Sequence, residues 1–364
     1  MSKQSIPWVH VVARPDITRG RAAVYRLLAI LAALVTGGLI FLLWGLNPVE
    51  VYVTMVKGSL FTQTAFRETV KIAIPLCITS LGVTLAFKMK FWNIGGEGQI
   101  AVGAIAASWI AYTYQGLPQA VMIPLMMLVG TIAGGLYGLI PAYFKTRFGT
   151  NETLFTLMLN YIATFVIQYL CAAPWVDPKT PGMQQAAKFV KAARMPTVGG
   201  ISIGWIIALV LVVMVYFYLS HTKQGYELTV VGENRQTAEY AGMPVKRIIL
   251  RTMFLSAALC GLAGVLKVSG TDKWLTTEVS GGIGFTAITV SWLSQLSAPA
   301  ILLVSFLFSV MDKGFSQIST TFGLSPAMAD VVQGIILLFV LGGEFFLRYR
   351  VVFRTRKQAK EAVV

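Results

Sequence analysis

The stretch AAVYRLLAILAALVTGGLIFLLWG, residues 22–45, decides the class of this chain. It is apolar almost throughout, and about 20 such residues at helical rise match the ~30 Å hydrocarbon thickness of a bilayer. Basic residues precede it, as in a secretion signal. The apolar run is too long for a signal core, however, and has no clear small-residue cleavage site, so it is predicted to be an uncleaved first span. The whole chain agrees. Of its 364 residues 56% are hydrophobic and only 12% charged, with a mean hydropathy of +0.70, the composition of a protein whose main solvent is lipid.

Working outward, nine further spans are predicted over residues 70–87, 94–114, 120–144, 153–175, 203–219, 249–268, 283–296, 299–315 and 325–347. Gly281, Gly282 and Gly284 open the eighth and Pro299 closes it, leaving it short for a crossing, so it either spans or is a broken or re-entrant helix. The expected fold is an all-α integral membrane protein of about ten transmembrane helices. Residues 1–21 form a cytoplasmic tail, 22–347 the membrane domain with a long inner segment at 221–248, and 348–364 a basic cytoplasmic tail.

The formal charge of +15 is explained by orientation. With a cytoplasmic amino terminus, 20 of the 30 Lys and Arg residues fall on inner segments, which satisfies the positive-inside rule and places both termini in the cytoplasm. The high isoelectric point then reports contact with the lipid bilayer and its anionic headgroups, and nucleic acid is not an expected partner. Cys77, Cys171 and Cys260 lie in or beside apolar runs, and His10 and His221 lie outside them. Neither a disulfide framework nor a metal site is expected. Trp44, Trp92, Trp175, Trp205 and Trp274 fall near span ends, where indoles anchor at the headgroup level; Trp109 and Trp292 sit deeper.

Two pairs of segments hint at duplication. GGEGQIAVGAIAASWIA (95–111) and GGIGFTAITVSWLSQL (281–296) each begin at a glycine cluster that feeds a span. Likewise RFGTNETLFTLMLNYI (147–162) and TFGLSPAMADVVQGII (321–336) share Phe-Gly, a polar cap region and a span. The members of each pair run in opposite directions, as inverted repeats of spans two to five and seven to ten would. The alternative is chance similarity among glycine-rich membrane helices.

Polar residues cluster at two places. MKFWNIGGEGQ (89–99) sets Asn93, Glu97 and Gln99 beside Gly95 and Gly96 at the inner mouth of span three. Glu97 there is either a cap favoured by the free N–H groups and macrodipole of its own helix, or a gating group. Asn160, midway along span five, is either packing glue or part of a pathway. The inner segment 221–254 carries a polar, helix-forming middle at 232–240, a stop at Gly242 and Pro244 beyond it. A short helix is predicted across the cytoplasmic face, displaying Ala238, Tyr240 and Ala241 to a partner. Asp312, Asp330 and Glu344 form no evident relay.

FWNIGGEGQIAVGAIAA (91–107), TNETLFTLMLNYIA (150–163), VGENRQTAEYAGMPVKRI (231–248) with SAALCGLAGVL (256–266), and GGIGFTAITVSWL (281–293) together resemble the permease subunits of bacterial ABC importers. The likeness is to the branched-chain amino acid, ribose and simple-sugar permease superfamily, most closely its nucleoside-type branch, and covers about residues 70–347. Where many relatives carry an Asp-, Gly- or Asn-rich turn after span eight, this chain has Gln295, Leu296, Ser297 and Ala298.

The resemblance implies a transport subunit in the bacterial plasma (inner) membrane. Its partners would be cytoplasmic ABC ATPase subunits, a second permease subunit in a homo- or heterodimer, and an extracellular or periplasmic solute-binding protein. By motif position, Gly232, Glu233, Asn234, Ala238 and Gly242 are ATPase-coupling candidates. Asn93, Gly95, Gly96, Glu97, Gln99, Met158, Asn160, Gly284, Phe285 and Thr286 are pathway or gating candidates. No G-x-x-x-x-G-K-[ST] phosphate loop occurs, so the chain is not expected to be an enzyme or to hold a cofactor. Nucleosides are the expected cargo; the alternatives are a simple sugar or, in another class, an ion-coupled secondary transporter.

Overall fold

The computed structural model describes residues 9–13, 19–179, 185–325, 327–328, 331–332, 334–335, 338–339, 342–343, 345 and 349–353. Most of these are helical, in two units: residues 59–313, and residues 1–58 with 314–364. Two small strand pairs depart from the all-α expectation. β1 (Val9–Ala13) pairs antiparallel with β4 (Tyr349–Phe353), and β2 (Thr197–Val198) with β3 (Ile201–Ser202).

The helices in chain order are α1 (Arg19–Leu43), α2 (Pro48–Val56), α3 (Gln63–Lys88), α4 (Gly96–Thr113), α5 (Gln119–Phe148) and α6 (Glu152–Ala172). Then follow α7 (Gly204–His221), α8 (Lys223–Glu233), α9 (Arg235–Tyr240), α10 (Val245–Leu266), α11 (Ile283–Leu293) and α12 (Ala298–Phe322). Their ends obey local rules. Thr62 accepts the Ala65 N–H at the start of α3, Asn151 accepts those of Thr153 and Leu154 at the start of α6, and Gly149 ends α5 in the left-handed region (φ 69°).

Six described helices are long and apolar enough to cross a bilayer: α3, α5, α6, α7, α10 with its extension to Asp272, and α12. They correspond to predicted spans two, four, five, six, seven and nine. Among the described residues, length and composition thus give six spans, or seven if the bent pair described below is one. Predicted span three is α4, of 18 residues, and predicted span eight is α11, whose 11 residues are too few to cross. Predicted span one is α1, but the chain turns back after it. Leu27–Leu43 and Pro48–Phe61 meet at 117°, a broken span or re-entrant loop. No span is predicted between residues 45 and 70; in the structure Asn47 caps α2 and Pro48 takes its first position. Tyr52 holds the bend by donating to the Leu34 carbonyl (2.6 Å). Of predicted span ten, eleven of the 23 residues, Asp330 and Glu344 among them, lie outside the described residues.

In residues 59–313, α10 packs on α5, α3 and α4, and α4 on α5. Lipid is as apolar as a helix surface, so these helices hold by close backbone approach. Gly261 is one point of close approach: a Cβ there would lie 2.7 Å from the Gly130 carbonyl oxygen and 2.9 Å from Gly134 Cα. Ala101, Ala104, Met122, Met126, Ala263 and Val265 fill the surrounding core.

Candidate functional site

Two helices of this core begin at glycines, and neither is capped by its own N-cap side chain. The first N–H groups of a helix have no intrahelical partner, and inside a membrane domain water does not replace one. Other helices supply what is missing. At α4, Asn160 of α6 accepts the Gly98 N–H (2.9 Å) through Oδ1 and donates to the Ile94 carbonyl (2.9 Å) through Nδ2. Thr156, one turn earlier on the same face of α6, accepts the Ile94 N–H (3.2 Å). Asn93, fully buried, pairs its amide reciprocally with that of Gln99 (3.1 and 3.2 Å), accepts the Gly95 N–H (3.0 Å) and reaches Ser256 of α10 (3.5 Å).

At α11 the cap is Glu97. Its side chain is buried, 6% exposed, and its Oε1 accepts the Gly284 N–H at 2.9 Å. Sequence reading considered Glu97 as a cap for its own helix; in the structure it serves a different one. Gly284 makes the junction possible, because any Cβ there would overlap the Glu97 backbone nitrogen, and Gly96 lies directly against it. Phe285 (47% exposed) and Thr286 follow at the open side, the Thr286 hydroxyl donating to the Gly282 carbonyl (3.1 Å). Deeper along α11, Ser291 donates to the Ser80 carbonyl of α3 (2.9 Å). Trp292 stacks on Trp92, with ring centroids 5.8 Å apart.

Asn93, Gly95, Gly96, Glu97, Gln99, Asn160 and Gly284 therefore meet in one junction. Met158, exposed on α6, is not drawn into it. Thr156 and Ser256 belong to it although sequence reading passed over them. The signal was available for Thr156, which lies four residues from Asn160 on a helical face.

The inner segment folds as two helices rather than one. Asn234 ends α8 and caps α9, accepting the N–H groups of Gln236 and Thr237 (2.9 and 3.2 Å). Gly242 stops α9 with φ 74°, as the sequence predicts. The display is partly corrected: Tyr240 is 93% exposed and Ala241 exposed, but Ala238 is buried. The apolar methyl turns inward while the polar face of α9 points out. Gly232 packs so closely on the end of α3 that a Cβ would overlap the Lys88 carbonyl. Lys90 donates to the Glu233 carbonyl (3.4 Å), and Arg251 of α10 pairs with Glu227 of α8 (3.2 Å). The inner helices are thus fastened to the α3–α4 link that carries Asn93.

Residues 65–341 match the model of the family described as branched-chain amino acid transport system / permease component. The chain belongs to that family. Among its relatives are the glucose ABC transporter permease protein TsgB13 of Haloferax volcanii, 32% identical over 89% of this chain and 88% of the relative, and the guanosine ABC transporter permease protein NupP of Bacillus subtilis, 31% identical over 86% and 91%. The nucleoside ABC transporter permease protein NupB of Lactococcus lactis is 30% identical over 88% and 91%. The chain is accordingly a multi-pass membrane permease of ABC-transporter type, and its relatives are transport subunits rather than enzymes.

Proposed function

We propose that this chain is the solute-conducting subunit of an ATP-driven importer in a bacterial inner membrane, with nucleosides as cargo. The observation that carries this reading is the family match over residues 65–341 together with full-length likeness to three ABC permeases, two of them named for nucleosides. A simple sugar is the second reading, favoured by TsgB13. Neither cargo is altered covalently. Cytoplasmic ATPase subunits supply the work, a solute-binding protein delivers the cargo, and a second permease, identical or paralogous, completes the path.

The full membrane topology belongs to the same proposal: about ten spans, inverted repeats and both termini in the cytoplasm. Antiparallel pairing of β1 with β4 supports termini on one side. Contacts between counterpart helices support the repeats: Gly82 of α3 lies against the Ser256 carbonyl of α10, and Gly96 of α4 against Gly284 of α11.

Mechanistically, the ATPase pushes on α8 and α9 at Gly232, Glu233, Asn234, Ala238 and Gly242. The push passes through Lys88 to Lys90 into the α3–α4 link. There it reaches the glycine-led starts of α4 and α11, which act as hinges beside a pathway lined from Asn93, Gly95, Gly96, Glu97, Gln99, Met158, Asn160, Gly284, Phe285 and Thr286. Cells carrying the chain, its ATPase and its binding protein should accumulate labelled nucleoside in preference to labelled glucose, and the Gly242→Trp and Glu233→Lys variants should insert normally yet lose uptake. Preference for glucose moves the assignment to the sugar reading, and normal uptake by both variants refutes the lever.

A further inference from the structure

Charged side chains inside a membrane span are expensive unless they face protein or water, which makes an ion pair there a marker of function with its partner already named. The span Val245–Asp272 ends in such a pair. Beyond Leu266 the chain leaves α-helical geometry and runs as a π turn over Lys267–Asp272, with the two charges at its ends, Lys267 Nζ 3.9 Å from a carboxylate oxygen of Asp272. Such turns gather at functional sites in helices.

The turn is held from outside. Met195 donates its N–H to the Ser269 carbonyl (3.0 Å), and Phe189 donates its own to the Lys273 carbonyl (2.9 Å). Lys273 closes the turn at φ 67°, a conformation costly for a residue with a side chain. Val268, Ser269 and Gly270 are buried, whereas the side chains of Lys267 and Asp272 keep 21% and 18% of their surface open. Just before the turn, Gly264 packs directly against Ile100 and Ala104 of α4, the helix that begins at the junction. A gap of 3.9 Å is longer than a hydrogen bond. It leaves bonding capacity unspent on the ammonium, which has three donors, and on the carboxylate, which accepts at both oxygens.

We propose that Lys267 and Asp272 form a contact point for a vicinal diol on the ring of the transported solute, the ammonium donating to one hydroxyl oxygen and the carboxylate accepting from its neighbour. A donor and an acceptor side by side match two adjacent hydroxyls. The pair is neutral overall and so gives no preference for an ionic solute. This rests on the reading of the chain as a permease for sugar-bearing solutes, and it assigns a role to residues that neither the motifs nor that reading used.

The test measures uptake by the complete importer of two labelled pairs, adenosine with 2′,3′-dideoxyadenosine and glucose with 2,3-dideoxyglucose. The binding protein is the same throughout, so its own selectivity cancels between variants. Asp272→Asn and Lys267→Gln should each lower uptake of the full solute about tenfold at equal membrane level, the scale of one hydrogen bond to a charged group. Uptake of the deoxy analogue should stay unchanged, so the preference collapses, while Lys267→Arg should keep it. Variants that retain the wild-type preference, whether their uptake is high or low, overturn the inference while leaving the permease reading standing. A wild-type importer that carries neither solute overturns both.

Discussion

α4 and α11 start alike in sequence, GGEGQ at residues 95–99 and GGIGF at 281–285, and differ in how each start is held. Aligning the two places Gly98 opposite Gly284, and each donates its N–H to a side chain borrowed from another helix, Asn160 for α4 and Glu97 for α11. Around α4 the borrowed cap is one bond among many, backed by Asn93, Gln99, Thr156 and Ser256. α11 has far less to hold it. It is entered through a left-handed Gly282 (φ 80°) and left through Gln295 and Leu296 (φ 51° and 56°), and its capping carboxylate comes from α4 itself. In the proposed mechanism α4 is accordingly the frame and α11 the element held against it, which separates when the frame moves.

The harshest way to break the comparison is Gly284→Leu. The new side chain must displace the Glu97 backbone, and overpacking of this kind costs about 1–3 kcal/mol. Uptake should fall at least tenfold with membrane level unchanged; Gly98→Leu should instead disturb the frame and lower the protein's level as well. Next comes Glu97→Ala, which leaves the buried Gly284 N–H unpaired at a cost of about 1–3 kcal/mol. Glu97→Gln keeps an acceptor and should retain most uptake. A cysteine placed at Phe285 should react faster with a polar thiol reagent in the alanine variant than in the glutamine one.

A smaller effect is expected from Asn160→Ala. Interhelical hydrogen bonds in membranes average about 0.6 kcal/mol, so the loss of two is worth about 1 kcal/mol, measurable as a lower melting temperature in detergent. Smallest and opposite in sign is Gln295→Gly. Left-handed backbone costs a side-chain-bearing residue about 1–2 kcal/mol, so relief at this exposed position should raise the melting temperature by a few degrees. An unchanged or lower melting temperature would remove strain at the end of α11 from the contrast.

Apolar length made α3, α5, α6, α7, α10 and α12 legible, because a span must be long and uncharged wherever it lies. The glycine clusters marked the two helix starts for the same local reason. What the sequence could not give was the partner. Glu97 reads as a cap for the helix it stands in, and only the approach of Gly284, 187 residues away, turns it toward α11. The bend between α1 and α2 falls outside the predicted spans, at Pro48, which signals either a break or the first residue of a helix. Ala238 was misplaced because a six-residue helix has too little periodicity to fix its inward face.

The central claim is that this permease conducts solute only when an ATPase drives it, and reconstitution tests it most directly. Proteoliposomes holding the chain with its ATPase and binding protein should concentrate labelled nucleoside when ATP is added on the ATPase side, and liposomes with the chain alone should not. Accumulation against a gradient by the chain alone, abolished by an ionophore and indifferent to ATP, would contradict the account.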